Sequence, residues 1–512
     1  MTRTENSTKN MYTGLINQFL ILVFRFVTRT VFIKCLGEQY LGINGLFSNI
    51  LNLLSLADLG IGTALVFSLY KPIVDKDEER QNIIIKYLKK VYFYIGLIIV
   101  VVGICLLPFL NYIVKEEVNY VNLYIVFIIY IFQTASSYLF FASHNEFLGA
   151  NQKKYVANKI SNYITIISNV VQIIILVLFK NFYIYLLTII AFNIFQTFLI
   201  AVKTRKMYPF IKNKANGTLT KKEKVDIFKD CGSLLVYRIN YVVLIATDNI
   251  IISKYIGLTM VGLYSNYVLV TNSITNILGT FFSSITASIG NLHASKEKEK
   301  DYFIFKLVNL ITVVFFGIFS IGVYNLINDF ITIWLGKKFL LPMTFVFIIS
   351  INLYIEGLRQ LLTTYRTGYG LFRQAKFIPL FGMILNVAVS IILVQKIGIF
   401  GVLLGTLISN LLSFMWFDPY IIYKNVFKKS PIEYYLKNIF YLLLFIGIGY
   451  FCNIICKFIT INGILGLAIH GIVCVFVPIF IITIFYYNTE YGKYLKYSFK
   501  KIFKKYLKKE AK

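Results

Sequence analysis

Four arginines, Arg25, Arg29, Arg238 and Arg359, fall inside long apolar runs of the sequence. A charge at the centre of a bilayer costs ~2.5–3.5 kcal/mol on insertion scales, so each is a candidate for function. The guanidinium donates two parallel hydrogen bonds, which suits phosphate oxygens. At helical spacing Gln18, Arg25 and Arg29 share one face. Asn44, Ser48, Asn52, Ser55 and Asp58 form a polar stripe, and Ser265, Asn272, Asn276, Gly279 and Ser283 form another. Arg238 and Asn249 share a face beside Asp248, and Asn352, Glu356, Arg359 and Thr363 line one side of a further run. Amides and hydroxyls suit sugar hydroxyls. The candidate substrate-binding set is therefore Arg25, Arg29, Arg238, Arg359, Gln18, Asn52, Asn272 and Asn276. Asp58, Asp248 and Glu356 are candidates for ion coupling. The structural alternative is that these charges neutralise one another, as Glu356 and Arg359 would at i, i+3, or snorkel to headgroups.

The elements that carry these residues follow from composition. The 512 residues are 58% hydrophobic and 15% charged, with a mean hydropathy of +0.71. So few charges cannot cover so much apolar surface in water, which excludes a soluble enzyme, a fibre and a disordered chain. A spanning helix needs ~20 apolar residues. Ten segments meet that without a formal charge: 91–110, 118–143, 160–179, 182–202, 260–290, 307–328, 377–395, 397–417, 438–456 and 464–487. Four more carry charges: 11–36, 43–70, 231–256 and 342–365. The expected fold is an all-α polytopic membrane protein of about fourteen spans. The polar start runs into an apolar stretch with no small-residue cleavage site, so the first span is expected to be retained.

The net charge of +29 orients the chain. With the N-terminus inside, 40 of the 52 Lys and Arg residues fall on inner loops and tails and 8 on outer loops. That bias predicts both termini in the cytoplasm. The outer loops are short, which argues against an extracytoplasmic polymerase or sugar transferase. No Ser/His/Asp set, carboxylate dyad, phosphate loop or metal motif occurs, so no catalytic or metal residue is assigned. The six cysteines are read as small buried residues, and no nucleic-acid partner is expected.

Residues 34–42, KCLGEQYLG, resemble 254–262, KYIGLTMVG, at an offset of 220. The offset pairs Lys34 with Lys254, Gly37 with Gly257 and Gly42 with Gly262. Gln152 to Tyr155 resembles Gln374 to Phe377 at nearly the same offset. Two parallel six-span lobes follow, 1–202 and 231–423, joined by a basic cytoplasmic linker, 203–230. Two extra C-terminal spans, 424–487, and a basic cytoplasmic tail, 488–512, complete the chain. The tail reads equally as an amphipathic helix on anionic lipid or as a solvated segment. A two-lobe repeat suits an alternating-access transporter.

The stretch YLGINGLFSNILNLLSLADLGIGTALVFSLYKPI (40–73), the stretch TDNIIISKYIGLTMVGLYSNY (247–267), and GYGLFRQAKFIP (368–379) with KIGIFGVLLGTLIS (396–409) carry a resemblance. They look like the Wzx-type polysaccharide flippases of the multidrug/oligosaccharidyl-lipid/polysaccharide (MOP) superfamily. The resemblance implies fourteen helices in two lobes, in a bacterial cell membrane. It implies translocation of undecaprenyl-diphosphate-linked oligosaccharide repeat units for cell-surface polysaccharide. It further implies a cationic central cavity, to which Arg25, Arg29, Arg238 and Arg359 correspond by role rather than by motif. Partners would be that lipid-linked substrate, membrane lipids, a polymerase and glycosyltransferases; a monomer is expected. No cofactor is expected beyond coupling to H⁺ or Na⁺. The acidic residue that multidrug members carry in the first span is missing, which disfavours the first alternative, a cation-coupled drug or metabolite exporter. The second alternative is a membrane-embedded glycan polymerase or ligase.

Overall fold

A computed structural model describes residues 21–55, 61–114, 118–151, 153–213, 217–221, 223–224, 246–294, 297–371, 374–494 and 496–497. Every regular element among them is helical. We number the helices α1 (21–36), α2 (Glu38–Leu54), α3 (Ile61–Val74), α4 (Glu78–Leu106), α5 (Leu123–Leu139), α6 (Ala142–Ala150), α7 (Lys154–Phe179) and α8 (Phe182–Met207). They continue as α9 (246–255), α10 (Leu258–Ala294), α11 (Lys298–Trp334), α12 (Met343–Gly368), α13 (Ile378–Ile397), α14 (Ile399–Leu412), α15 (Phe414–Ile422), α16 (Ile432–Phe458) and α17 (Gly463–Tyr486).

Nine helices among the described residues are long and apolar enough to cross a membrane, or ten if α5 and α6, bent by 44°, form one broken span. The protein is a multi-pass membrane protein. Each of the fourteen expected spans overlaps a helix. However, 11–36, 43–70 and 231–256 run partly through residues outside the described set. The expected span 397–417 is interrupted at Ser413, between α14 and α15, within the longer spanning stretch Ile399–Phe427; α15 contains Pro419, and a π-helical turn, Tyr423–Phe427, follows it.

The helices start where short polar side chains can cap them. Asn122 accepts from the amides of Tyr124 and Ile125 at α5, and Asn181 does the same for Tyr183 and Ile184 at α8. Asp77 accepts from the Arg80 amide at α4. Gly37 and Gly257, aligned by the repeat, both turn the chain with positive φ (97° and 142°) just before α2 and α10. Outward faces of α4, α16 and α17 expose Phe93, Ile98, Leu443, Tyr450, Phe476 and Phe480. In a bilayer such a face is in contact with lipid.

Packing divides the chain into two units, Met1–Asn266 with Met383–Val402, and Tyr267–Gly382 with Leu403–Lys512. These units group the chain by contact, whereas the expected lobes group it by sequence similarity. In the first unit Ile84, Leu88, Ile95 and Ile99 of α4 pack with Ala135 of α5 and Phe147 of α6. The start of the linker is tied to this core rather than loose. Helix α8 runs past the expected span end at 202, and Tyr208 and Phe210 set their rings against Phe147 at 5.0 and 6.2 Å. The Asn213 carbonyl then accepts from Asn82 and Lys86, and Arg80 pairs with Glu223. The Thr220 amide and hydroxyl hold the Glu223 carboxyl below the usual carboxylate range, and Arg80 adds to that. The second unit has an aromatic core at one end, where Phe305, Tyr365, Tyr423, Phe427 and Tyr434 meet.

Candidate functional site: a half-buried arginine on α1

The first unit has a polar interior, and Arg29 lies in it. Helix α1 is oriented by its neighbours. Thr28 donates to the Asn169 side chain on α7 at 3.0 Å, and Phe32 packs edge-on against Phe182 and Tyr185 of α8. This fixes Arg29, one residue on, toward α10. Its Nε donates to the Asn266 side-chain oxygen at 3.1 Å, and a terminal nitrogen donates to Ser265. Ser265 gives its own hydrogen to the Gly262 carbonyl at 2.7 Å, so its lone pairs face Arg29. Asn266 is fully buried and its amide nitrogen has no hydrogen-bond partner. Tyr185 lies within electrostatic range of Arg29 and of Tyr130, and Tyr130 donates to Asn44 of α2.

Among the described residues, the hydrogen-bond partners of Arg29 are neutral. Among the described residues no carboxylate forms an ion pair with it. The site is a partly buried cation oriented by two acceptors, with no carboxylate paired to it among the described residues.

The other expected residues fare differently. Arg25, one turn before Arg29, is exposed. Asn52, Asn272 and Asn276 are exposed too. Gln18, Arg238 and Asp58 lie outside the described residues. Arg359 and Glu356 form a two-point pair at 2.7 and 2.8 Å, and Arg359 also lies 5.4 Å over the Phe414 ring. The i, i+3 neutralisation weighed from the sequence is thus present, and neither stands as an isolated charge. Asp248 is buried, and Tyr264 lies within electrostatic range of it. Its neighbour Thr247 contacts the fully buried Asn386 of α13 at 3.4 Å, and the buried Ser390 contacts the Val402 carbonyl at 3.4 Å. No group of three or more His, Cys, Asp or Glu side chains that could hold a metal occurs among the described residues.

Sequence reasoning missed a buried ion pair in the second unit. Arg366, counted from the sequence as an inner-loop cation, occupies the last turn of α12 and is 3% exposed. It donates to Asp418 of α15 at 2.7 Å, and the Asp418 side chain is 0% exposed. Two signals were available. Arg366 is seven residues after Arg359 and so shares its face, and Asp418 is the single acidic residue between Glu356 and Glu433. Thr28, Tyr130, Tyr185 and Asn169 were also missed, because isolated polar residues in apolar runs show no spacing pattern.

No family model matches this sequence, and no curated protein matches it. Solved structures do match, at the level of the fold. One is the Lipid II flippase MurJ in an inward closed conformation, with TM-score 0.63 and 19% identity, covering 92% of this chain and 98% of that chain. Another is an inward-facing multidrug resistance MATE family transporter of the MOP superfamily, with TM-score 0.62 and 13% identity, covering 81% and 96%. A third is the Vibrio cholerae MATE transporter VcmN, with TM-score 0.56 and 12% identity, covering 84% and 99%. The chain has the fold of these membrane transporters.

Proposed function

We propose that this protein is a flippase for undecaprenyl-diphosphate-linked oligosaccharide, working by alternating access through a cationic cleft. The observation that carries the reading is Arg29: a guanidinium inside a membrane protein whose partners among the described residues are the neutral acceptors Asn266 and Ser265, an arrangement suited to a diphosphate. The physical task is to carry a hydrated sugar diphosphate past hydrocarbon that would strip its water. A polar, cationic interior lowers that barrier while the lipid tail stays in the bilayer. Arg25 and Asn52 belong to the same proposed site, and Arg238, Asn272 and Asn276 are proposed to bind substrate as well. The six-span lobes 1–202 and 231–423, the bacterial cell membrane and the monomeric state are parts of the proposal.

The likeness to MATE transporters favours a second reading, a cation-coupled drug exporter. The two separate by complementation. In a strain lacking its own oligosaccharide flippase, the chain should restore surface glycan. Restoration of drug tolerance without glycan would support the exporter.

Topology can be checked separately. A cysteine at Asn216 in the basic linker should resist a membrane-impermeant thiol reagent applied to intact cells, and one at Asn462 should react. Labelling at Asn216 from outside would invert the assignment.

Movement against a gradient needs a coupled ion, and the reading gives that role to Asp58, Asp248 or Glu356. Of the two that are described, Glu356 pairs with Arg359 and Asp248 is buried. Asp248→Asn is expected to remove the dependence of export on H⁺ or Na⁺, and Glu356→Gln to leave it in place. Gradient-dependent export that survives Asn at both aspartates and Gln at Glu356 would remove this part of the account.

A further inference from the structure

We propose that the crossing of α2 and α10 at Gly42 and Gly262 is the contact that closes the extracytoplasmic side of the cleft; this rests on the transport reading above. The two helices meet there backbone to backbone. A Cβ on Gly42 would stand 2.1 Å from the Leu258 carbonyl oxygen, and one on Gly262 would stand 2.6 Å from that of Glu38. Neither obstacle is a side chain that can swing away. The two contacts are also one contact seen twice. Residues 38 and 258, and residues 42 and 262, are each 220 apart, which is the repeat offset read from the sequence. Gly37 and Gly257, which turn the chain into these helices, are 220 apart as well. Such a reciprocal pair lies on a pseudo-twofold axis, where two equivalent elements meet at equivalent points.

The position argues for a gate rather than a static brace. Lys34 to Gly42 and Lys254 to Gly262 belong to outer loops and helix starts by the charge bias. Ser265, one turn after Gly262, is the residue that accepts from Arg29. An anion held at Arg29 can leave outward only if α2 and α10 part above it. The same side carries two more contacts between the halves. Ser253 donates to the Ile113 carbonyl at 3.2 Å, and Lys254 lies 3.7 Å over the Tyr112 ring. A crossing of glycines gives close approach through dispersion and weak Cα–H···O contacts, with no side chain to extract when it opens.

The test needs no substrate. In a cysteine-free background, Ser48→Cys on α2 reports access from outside, because it lies about 9 Å below Gly42 at 1.5 Å per residue. A membrane-impermeant thiol reagent is applied to the extracytoplasmic face. An added methyl overpacks the closed crossing, so Gly42→Ala and Gly262→Ala should each raise the labelling rate by roughly tenfold, and to similar extents. Bridging Tyr112→Cys to Lys254→Cys with a short bismaleimide, with both glycines in place and labelling read by a later-exposed reporter at Ser48→Cys protected during bridging, should suppress labelling. Unchanged labelling in alanine variants present at normal membrane levels would overturn the proposal. If those variants fail to accumulate, the bridged protein decides: labelling that persists after bridging overturns it. Failure of the export experiments with normal gating of Ser48→Cys would sink the substrate reading alone.

Discussion

Arg29→Ala is expected to abolish export of lipid-linked oligosaccharide while the protein still inserts at normal levels. Truncating one member of a buried, hydrogen-bonded charge contact costs about 2–5 kcal/mol, which is roughly 30-fold or more in affinity. Arg29→Lys keeps the charge but cannot serve Asn266, Ser265 and a diphosphate from one planar fork, so it should retain partial export. Arg25→Ala should weaken export as well, since Arg25 lies one turn away on the same face. The check is surface glycan in a flippase-null strain, with membrane levels measured by blot. Full export by Arg29→Ala at normal levels would mean that the diphosphate is held elsewhere.

Asp418→Ala is expected to destabilise the protein more than any change at the exposed asparagines. It leaves the Arg366 guanidinium, 3% exposed, without its carboxylate. Breaking a buried pair by removing one partner costs about 3–5 kcal/mol. The double variant Arg366→Met with Asp418→Leu removes both charges and should recover most of that loss, because the pair's own desolvation is also relieved. Thermal unfolding in detergent reads both effects. Equal stability of Asp418→Ala and the native chain would show that the pair contributes little.

What was legible in the sequence was what periodicity and composition encode. Helix α8 starts at Phe182, as its apolar run does, and α12 starts at Met343. The glycines of the repeat, read as pattern, proved to hold positive φ and a reciprocal close approach. Arg29 was legible as a charge in an apolar run, but its partners were not: Asn266 and Ser265 are more than 230 residues away in sequence. Arg366 follows the apolar run 342–365, and only packing against α15 shows that it is buried. The break at Ser413 falls inside the uncharged run 397–417, so hydropathy could not reveal it, and the π-turn after Ile422 lies beyond that run, past Asp418 and Pro419. Arg359 and Glu356 were within reach, since a three-residue spacing on one helix decides their pairing without any tertiary information.

The central claim is that this chain moves a lipid-linked sugar diphosphate through a site centred on Arg29. The most direct measurement is translocation in proteoliposomes made with purified protein and a fluorescent undecaprenyl-diphosphate-linked oligosaccharide. The inner-leaflet pool is read by its protection from a membrane-impermeant quencher. The account predicts that the native protein exposes that pool over time, that Arg29→Ala does not, and that a cationic dye loaded inside is not released. Release of the dye by the native protein, with the lipid-linked oligosaccharide left in its original leaflet, would contradict it.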